Sequence, residues 1–431
     1  MAGNAKIKDV RAREVLNFRG NPTIEAEVIL ADGSVGHGAV AAGISAGVNE
    51  VGALLDGDYA RFAGRGTLKA VENVRCQIAP AIIGMDADDQ SAVDRRMLEL
   101  DGTANKEKLG GNAVLAVSSA VAKAAAASRK IPLYRHLWSN GPLWLPVPAY
   151  DMLCGGSHSL VDNGLDLQEY LVIPAGVETF GEAVQAGFNV YSALFDLLRD
   201  KGHQISKWGE PISVALGSNK EGMNVVSQAI EKAGYKLGEE VYIGLDAAMS
   251  ELYKDGNYIL AGEGRALSAE EMSDMWAEWI DEYPLITIED GMAEEDWDGW
   301  KLLTERIGEK VQLVGDDFFT TNPDRIRRGI SEAAANAVLI KPNQIGSISE
   351  TLETMLLAAK AGWATMPSER SGESEDCMIS DLAVAGCSGQ IKTGPAAKQT
   401  VLKFNRLFRI EEELGDKAEY AGTRAFRTWS R

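Results

Sequence analysis

Four charged residues close four apolar runs, one after another. Asp246 ends VYIGLD, Glu289 ends LITIE, Asp316 ends VQLVGD and Lys341 ends AVLIK. Apolar runs of this length, separated by amphipathic stretches, read as buried parallel strands alternating with helices. In a parallel barrel the C-terminal strand ends converge on one mouth, where the chemistry sits. Three carboxylates on that rim make a hard-oxygen site suited to Mg²⁺. A lysine beside a divalent ion can have its pKa lowered enough to act as a base. The pattern points to metal-assisted proton abstraction next to a carboxylate. A lone acid at a strand end is more often a helix cap or a loop salt bridge. Four such residues in register on one rim argue against that reading for the set.

The elements that position these residues need a large core. At 431 residues the chain exceeds one ordinary core and suggests a barrel plus a smaller domain. It is 45% apolar, enough to fill that core without disulfides. Its formal net charge of −20, from 63 acids against 43 Lys and Arg, argues against nucleic acid or an anionic membrane as the main partner. A small anionic substrate would need locally placed cations and metal. The cysteines Cys76, Cys154, Cys377 and Cys387 form no CxxC pair and no disulfide framework, as expected of reduced thiols. There is no signal-peptide apolar region and no run long enough to span a bilayer, so the expectation is a soluble, cytoplasmic protein.

Along the chain, Thr23 to Leu30 alternates, with Ile24, Ala26, Val28 and Leu30 on one face and Glu25 and Glu27 on the other. Asp32-Gly33 turns the chain back through Ser34 to Val40, giving an antiparallel sheet. The alanine-rich stretch Asn112 to Ser128 is a helix. Pro142, Pro146 and Pro148 mark a domain junction. Beyond it Val184, Phe188, Tyr191, Phe195 and Leu198 form one apolar helix face. Further helices are expected over Ser268–Asp281 and Ser349–Ala361, between the strands.

Many ordered stretches then carry a resemblance. They are RGNPTIEAEV, DGTANKEKLGGNAVLAVS, LPVP, GGSH, LQEY, LGSN, SELYKDGNY, TIEDGMAEEDWDGW, VGDD, IKPNQIGS, RSGESED, GQIKTG and RIEEELG. Over nearly its whole length the chain resembles the enolase family. The resemblance implies an α/β fold: an N-terminal α+β capping domain over residues 1–140, then an eight-stranded TIM-like barrel over residues 141–431. It also implies a homodimer or octamer and two Mg²⁺ ions. By the same resemblance Asp246, Glu289 and Asp316 look like ligands of the first ion, with Ser45 at the second. Lys341 looks like the base that removes the proton α to the carboxylate of 2-phosphoglycerate. Glu210 looks like the acid assisting departure of the β-hydroxyl, with Glu169 as its neighbour. Two carboxylates held close commonly share a proton, which suits general acid work. His158, Gln168, Arg370, Ser371 and Lys392 look like substrate contacts. Taken alone, Gln168 is equally a hydrogen-bonded strand residue, His158 equally a backbone-positioning one, and Arg370 has Glu373 and Glu375 within reach. Cys154 reads as a buried thiol and Trp208 as packing.

The departures from the family pattern cluster around the site. The mobile SGASTG loop reads Ala42-Gly43-Ile44-Ser45-Ala46-Gly47, and DSRGNP reads Asn17-Phe18-Arg19-Gly20-Asn21-Pro22. About two extra residues follow His158, within Ser159–Asp166. GDEGG has become Trp208-Gly209-Glu210-Pro211-Ile212, and HRSGE has become Glu369-Arg370-Ser371-Gly372-Glu373. A retained enolisation step with a changed second substrate accounts for departures confined to loops and pocket. In this the chain resembles the carboxyphosphonoenolpyruvate synthase branch of phosphonate pathways, which implies a CMP-activated phosphonoformate as second substrate and Trp208 as a surface for its cytosine. The competing expectations are an ordinary phosphopyruvate hydratase making phosphoenolpyruvate, and a catalytically weak binding protein.

Overall fold

The computed structural model describes residues 5–43, 47–138, 141–159, 161, 163–205 and 208–426. The first domain opens on an antiparallel sheet of β1 (Ile7–Leu16), β2 (Pro22–Leu30) and β3 (Val35–Ala39). In β2 the even positions from Ile24 to Leu30 are buried, as the alternation predicts. Helix α1 (Gly111–Arg129) lies on this sheet with an unbroken buried run from Gly111 to Ala122. Its alanines let it approach closely. A Cβ at Gly36 of β3 would stand 2.1 Å from the Ala120 carbonyl oxygen, and one at Gly38 2.3 Å from that of Ala116. Only a sheet edge without side chains at those points can meet the helix backbone.

The barrel strands are β4 (Val147–Cys154), β5 (Glu169–Ile173), β6 (Tyr242–Asp246), β7 (Leu285–Glu289), β8 (Gln312–Gly315), β9 (Ala337–Ile340), β10 (Ala364–Pro367) and β11 (Gln390–Thr393). Every residue in them is buried, because helices cover the outside and side chains fill the inside. The sheet order is β10-β9-β8-β7-β6-β5-β4-β11. A parallel bridge between Ser368 and Lys392, with the Glu369 N–H on the Lys392 carbonyl at 3.0 Å, brings its two ends together. The four apolar runs form the parallel neighbours β6 to β9, as read from the sequence, but the barrel is not parallel throughout. β5 is antiparallel to both β4 and β6. Its first residue, Glu169, therefore faces the mouth that the other strands reach with their last residues, and the register pairs it with Asp246.

Among the helices outside the barrel are α2 (Phe180–Asp200), α3 (Ala269–Glu282), α4 (Ile348–Lys360) and α5 (Thr400–Leu414). Capping boxes at Thr179/Glu182 and Ser268/Glu271 start α2 and α3. The apolar face expected on α2 is only partly buried: Phe188 is exposed. The two domains are bonded together. Ser118 of α1 accepts the Ile348 N–H at 2.9 Å at the start of α4, and Lys123 meets Asp376 at 2.5 Å. No helix among the described residues is long and apolar enough to cross a membrane.

Candidate active site

A cavity of about 560 Å³ opens at the barrel mouth. Lys341, Glu210, Glu169, His158, Gln168, Arg370, Ser371, Lys392, Asp246 and Asp316 all line it, with Phe18, Arg19 and Gly43 reaching over from the first domain. Glu289 is buried and joins the group through Lys392. Ser45 lies outside the described residues.

Two lysines organise the acids. Lys341 Nζ is 2.5 Å from Asp316 Oδ2. Burial alone would lower the Lys341 pKa, but the Asp316 charge raises it above the ordinary lysine value. The contact holds the lysine as an ammonium. Lys392 Nζ lies among three carboxylates, 2.7 Å from Asp246 Oδ2, 2.8 Å from Glu289 Oε1 and 2.9 Å from Glu169 Oε2. Burial opposes its charge, yet Asp246, Glu169 and Glu289 together hold its pKa well above the usual range. Glu289 is pushed the other way, well up, by burial and by the Asp246 charge.

The donor set fits a hard dication. Asp246 and Glu289 are register partners on β6 and β7, Asp316 follows β8, and Glu289 Oε2 is buried without a hydrogen-bond partner among the described residues. The tightest carboxylate cluster is nonetheless a different one, Asp290, Asp316 and Asp317, with oxygens within 4.8 Å of one another. Both Asp290 oxygens accept backbone N–H groups, from Asp316 and Asp317, each at 2.9 Å. Asp290 thus shapes the loop that presents Asp316. Lys392 meanwhile stands between Asp246 and Glu289, which places their charges on an ammonium instead of on each other. Asp246, Glu289 and Asp316 are the better candidates on donor chemistry.

Models of two enolase domains match the chain: Enolase, N-terminal domain over residues 7–137, and Enolase, C-terminal TIM barrel domain over residues 142–429. The chain belongs to the enolase family. Enolase-family enzymes are generally Mg²⁺-dependent and act on small phosphorylated substrates, which agrees with an anionic rim carrying buried cations.

The two acids have different partners. Burial would raise Glu169, but Lys392 and a 3.1 Å contact to His158 Nδ1 hold its carboxyl well below the usual range. Glu210 instead meets Lys398 across the cavity rim. Its loop is held by Tyr191 of α2, whose hydroxyl donates to the Glu210 carbonyl at 2.6 Å and accepts the Gly209 N–H at 3.0 Å. Trp208 packs edge-on against Phe188, Tyr191 and Phe195 with ring centroids 4.9–5.8 Å away, and is not among the residues lining the cavity. Packing is the reading the geometry favours for it.

Gln168 donates to Asp246 Oδ2 at 3.4 Å. Arg370 donates its backbone N–H to Glu373 Oε1 at 2.8 Å. Its guanidinium meets Glu50 Oε2 at 3.1 Å and Asn343 Oδ1 at 3.3 Å, while Glu373 binds Lys403 at 2.6 Å. Cys154 is buried, and burial pushes its thiol well up. Sequence reasoning missed Lys398, Glu50, Asp290 and Asp151. Asp151 lines the cavity with its carboxyl pushed well above the usual range by burial and by Glu169. Only Asp290 carried a local signal, as the acid directly after a strand-ending glutamate.

Proposed function

We propose that this protein abstracts the proton α to the carboxylate of 2-phosphoglycerate in a Mg²⁺-dependent reaction, with Lys341 as the base. The observation that supports this best is the Lys341–Asp316 contact at 2.5 Å, on the same mouth as Asp246 and Glu289. In this reading Asp246, Glu289 and Asp316 hold one ion, and Ser45 contacts a second. Mg²⁺ supplies, when bound, the positive charge that offsets negative charge building on the substrate carboxylate. Lys341 takes the proton once Asp316 no longer holds it as an ammonium. Lys392 and Arg370 orient the substrate's carboxylate and phosphate, with Ser371, Gln168 and His158 completing the contacts. Glu210 and Glu169 flank the leaving group.

We infer further that the second half of the reaction is specialised, as in carboxyphosphonoenolpyruvate synthase, with a CMP-activated phosphonoformate as partner. Glu210 drawn to Lys398, a Glu169 held ionised, and a cavity larger than a three-carbon phosphate requires all favour a step other than simple loss of water. The ordinary hydratase reading is favoured by one fact: Glu169 and Glu210 both line the cavity. A homodimer or octamer belongs to either reading. The deciding assay supplies 2-phosphoglycerate and Mg²⁺ with and without CMP-phosphonoformate, and follows phosphoenolpyruvate absorbance and phosphorus NMR. Rapid phosphoenolpyruvate formation without the nucleotide would make this an ordinary hydratase. A new phosphonate and released CMP only when both are present is the expected result.

A further inference from the structure

Glu369 lines the cavity, and the proton abstraction proposed above does not use it. Its two oxygens differ. Oε2 accepts from the Thr400 hydroxyl at 2.8 Å and the Gly394 N–H at 3.2 Å. Oε1 is buried and has no hydrogen-bond partner among the described residues. An unmatched carboxyl oxygen on a residue that lines a ligand cavity is costly unless a ligand completes it.

The charges around Glu369 come from two elements. Lys403 on α5 is fully buried, but its ammonium is engaged by the Glu373 carboxylate at 2.6 Å and the Ser374 carbonyl at 3.3 Å. Glu373, on the loop after β10, brings a second negative charge. Burial therefore pushes the Glu369 carboxyl up to about 7, with Lys403 opposing the rise and Glu373 adding to it. Near neutral pH a large share of molecules carry it as a neutral acid, which has a proton to donate. The neighbouring Arg370 faces the other way, toward Glu50 and Asn343. Glu369 instead belongs to the side of the cavity formed by Gly394, Lys398 and Thr400, where Lys398 meets Glu210.

Resting on the proton-abstraction reading, we propose that Glu369 recognises the bound phosphoglycerate by donating a hydrogen bond from Oε1 to a substrate oxygen on the Lys398–Glu210 side. The donor exists only while the carboxyl is protonated. Above its titration the group becomes an anion and repels that oxygen, so binding weakens as pH rises. A glutamine has the same shape and keeps a donor at every pH.

The test is exchange of the substrate C2 proton into D₂O with Mg²⁺, followed by NMR from pH 6 to 9, with KM and kcat separated. The chains compared are wild type, Glu369→Gln and Glu369→Ala, and thermal melts show that each is folded. In wild type KM should rise with pH above about 7. Glu369→Gln should stay within about threefold of wild type at pH 6.5 and lose that rise. Glu369→Ala should raise KM about tenfold at pH 6.5, the worth of one hydrogen bond. A Gln variant as poor as Ala, or one that keeps the wild-type rise, overturns the proposal and leaves proton abstraction standing. A folded wild type without exchange overturns the functional reading, and this one with it.

Discussion

Lys341 shows how one contact sets a resting state and, in the proposed reaction, would tie the base to the metal. Burial among apolar strands would favour the neutral amine, and the Asp316 carboxylate at 2.5 Å reverses that preference. In the proposed reaction the lysine would become a base when a cation shares the Asp316 charge, which would link metal and base through one carboxylate. The sign follows: the Asp316 contact keeps the ammonium to high pH, and in the proposed reaction bound metal would let the amine appear at lower pH. Lys341→Ala should lower C2-proton exchange by at least about 10³-fold, within the span of general-base effects, while the Mg²⁺-induced rise in melting temperature remains. Asp246→Asn should instead lose most of that thermal rise. Exchange surviving in Lys341→Ala would assign the base elsewhere, with Lys392 the next candidate.

At the scale of elements, close packing of β3 on α1 makes a sharp prediction. A methyl at Gly36 would meet the Ala120 carbonyl at 2.1 Å and the Ala124 nitrogen at 2.4 Å, both backbone atoms that cannot step aside. Gly36→Ala should cost at least about 2 kcal/mol by forcing strand and helix apart. Gly181, in the first turn of α2, has open space around a Cβ and an ordinary φ. Gly181→Ala should be neutral or stabilising by up to about 1 kcal/mol. Urea unfolding of both variants checks the pair, and equal effects would contradict the packing argument. The strands and helices themselves were legible where burial leaves a period in the sequence. β2 alternates because one face meets α1, and the barrel strands read as short apolar runs because both faces are covered. The direction of β5 was not legible, since a five-residue buried strand has the same composition whichever way it runs. The cavity gathers the residues singled out from the strand ends and family motifs except Glu289, which joins through Lys392, and Ser45, which lies outside the described residues. The partners that govern them were invisible, because Lys398 lies 188 residues from Glu210 and Glu50 lies 320 from Arg370. Contacts of that range leave no local pattern.

Across the whole molecule, the first domain completes the site. Glu50 Oε2 meets Arg370 at 3.1 Å, and its Oε1 accepts from Gln344 at 3.1 Å. Gln344 in turn donates to Asp316 Oδ1 at 2.8 Å. One carboxylate from the capping domain thus touches both the arginine and, through one amide, the proposed metal ligand. The Glu50 and Arg370 side chains are 7% and 6% exposed, so breaking the pair leaves a buried guanidinium less well compensated, at a cost of about 3–5 kcal/mol. An anionic substrate supplies what the lost carboxylate did. Glu50→Ala should therefore melt well below wild type yet gain more from 2-phosphoglycerate with Mg²⁺, because ligand binding now also satisfies Arg370. Asp376→Asn gives the comparison, since Asp376 joins the domains through Lys123 and the Ala39 N–H away from the arginine. It should lower the melting temperature while leaving the ligand-induced rise at its wild-type size. If Glu50→Ala shows the same ligand-induced rise as Asp376→Asn, Glu50 only fastens the domains. A larger rise in Glu50→Ala alone means that the capping domain tunes the anion site directly, through a single carboxylate that the substrate must displace.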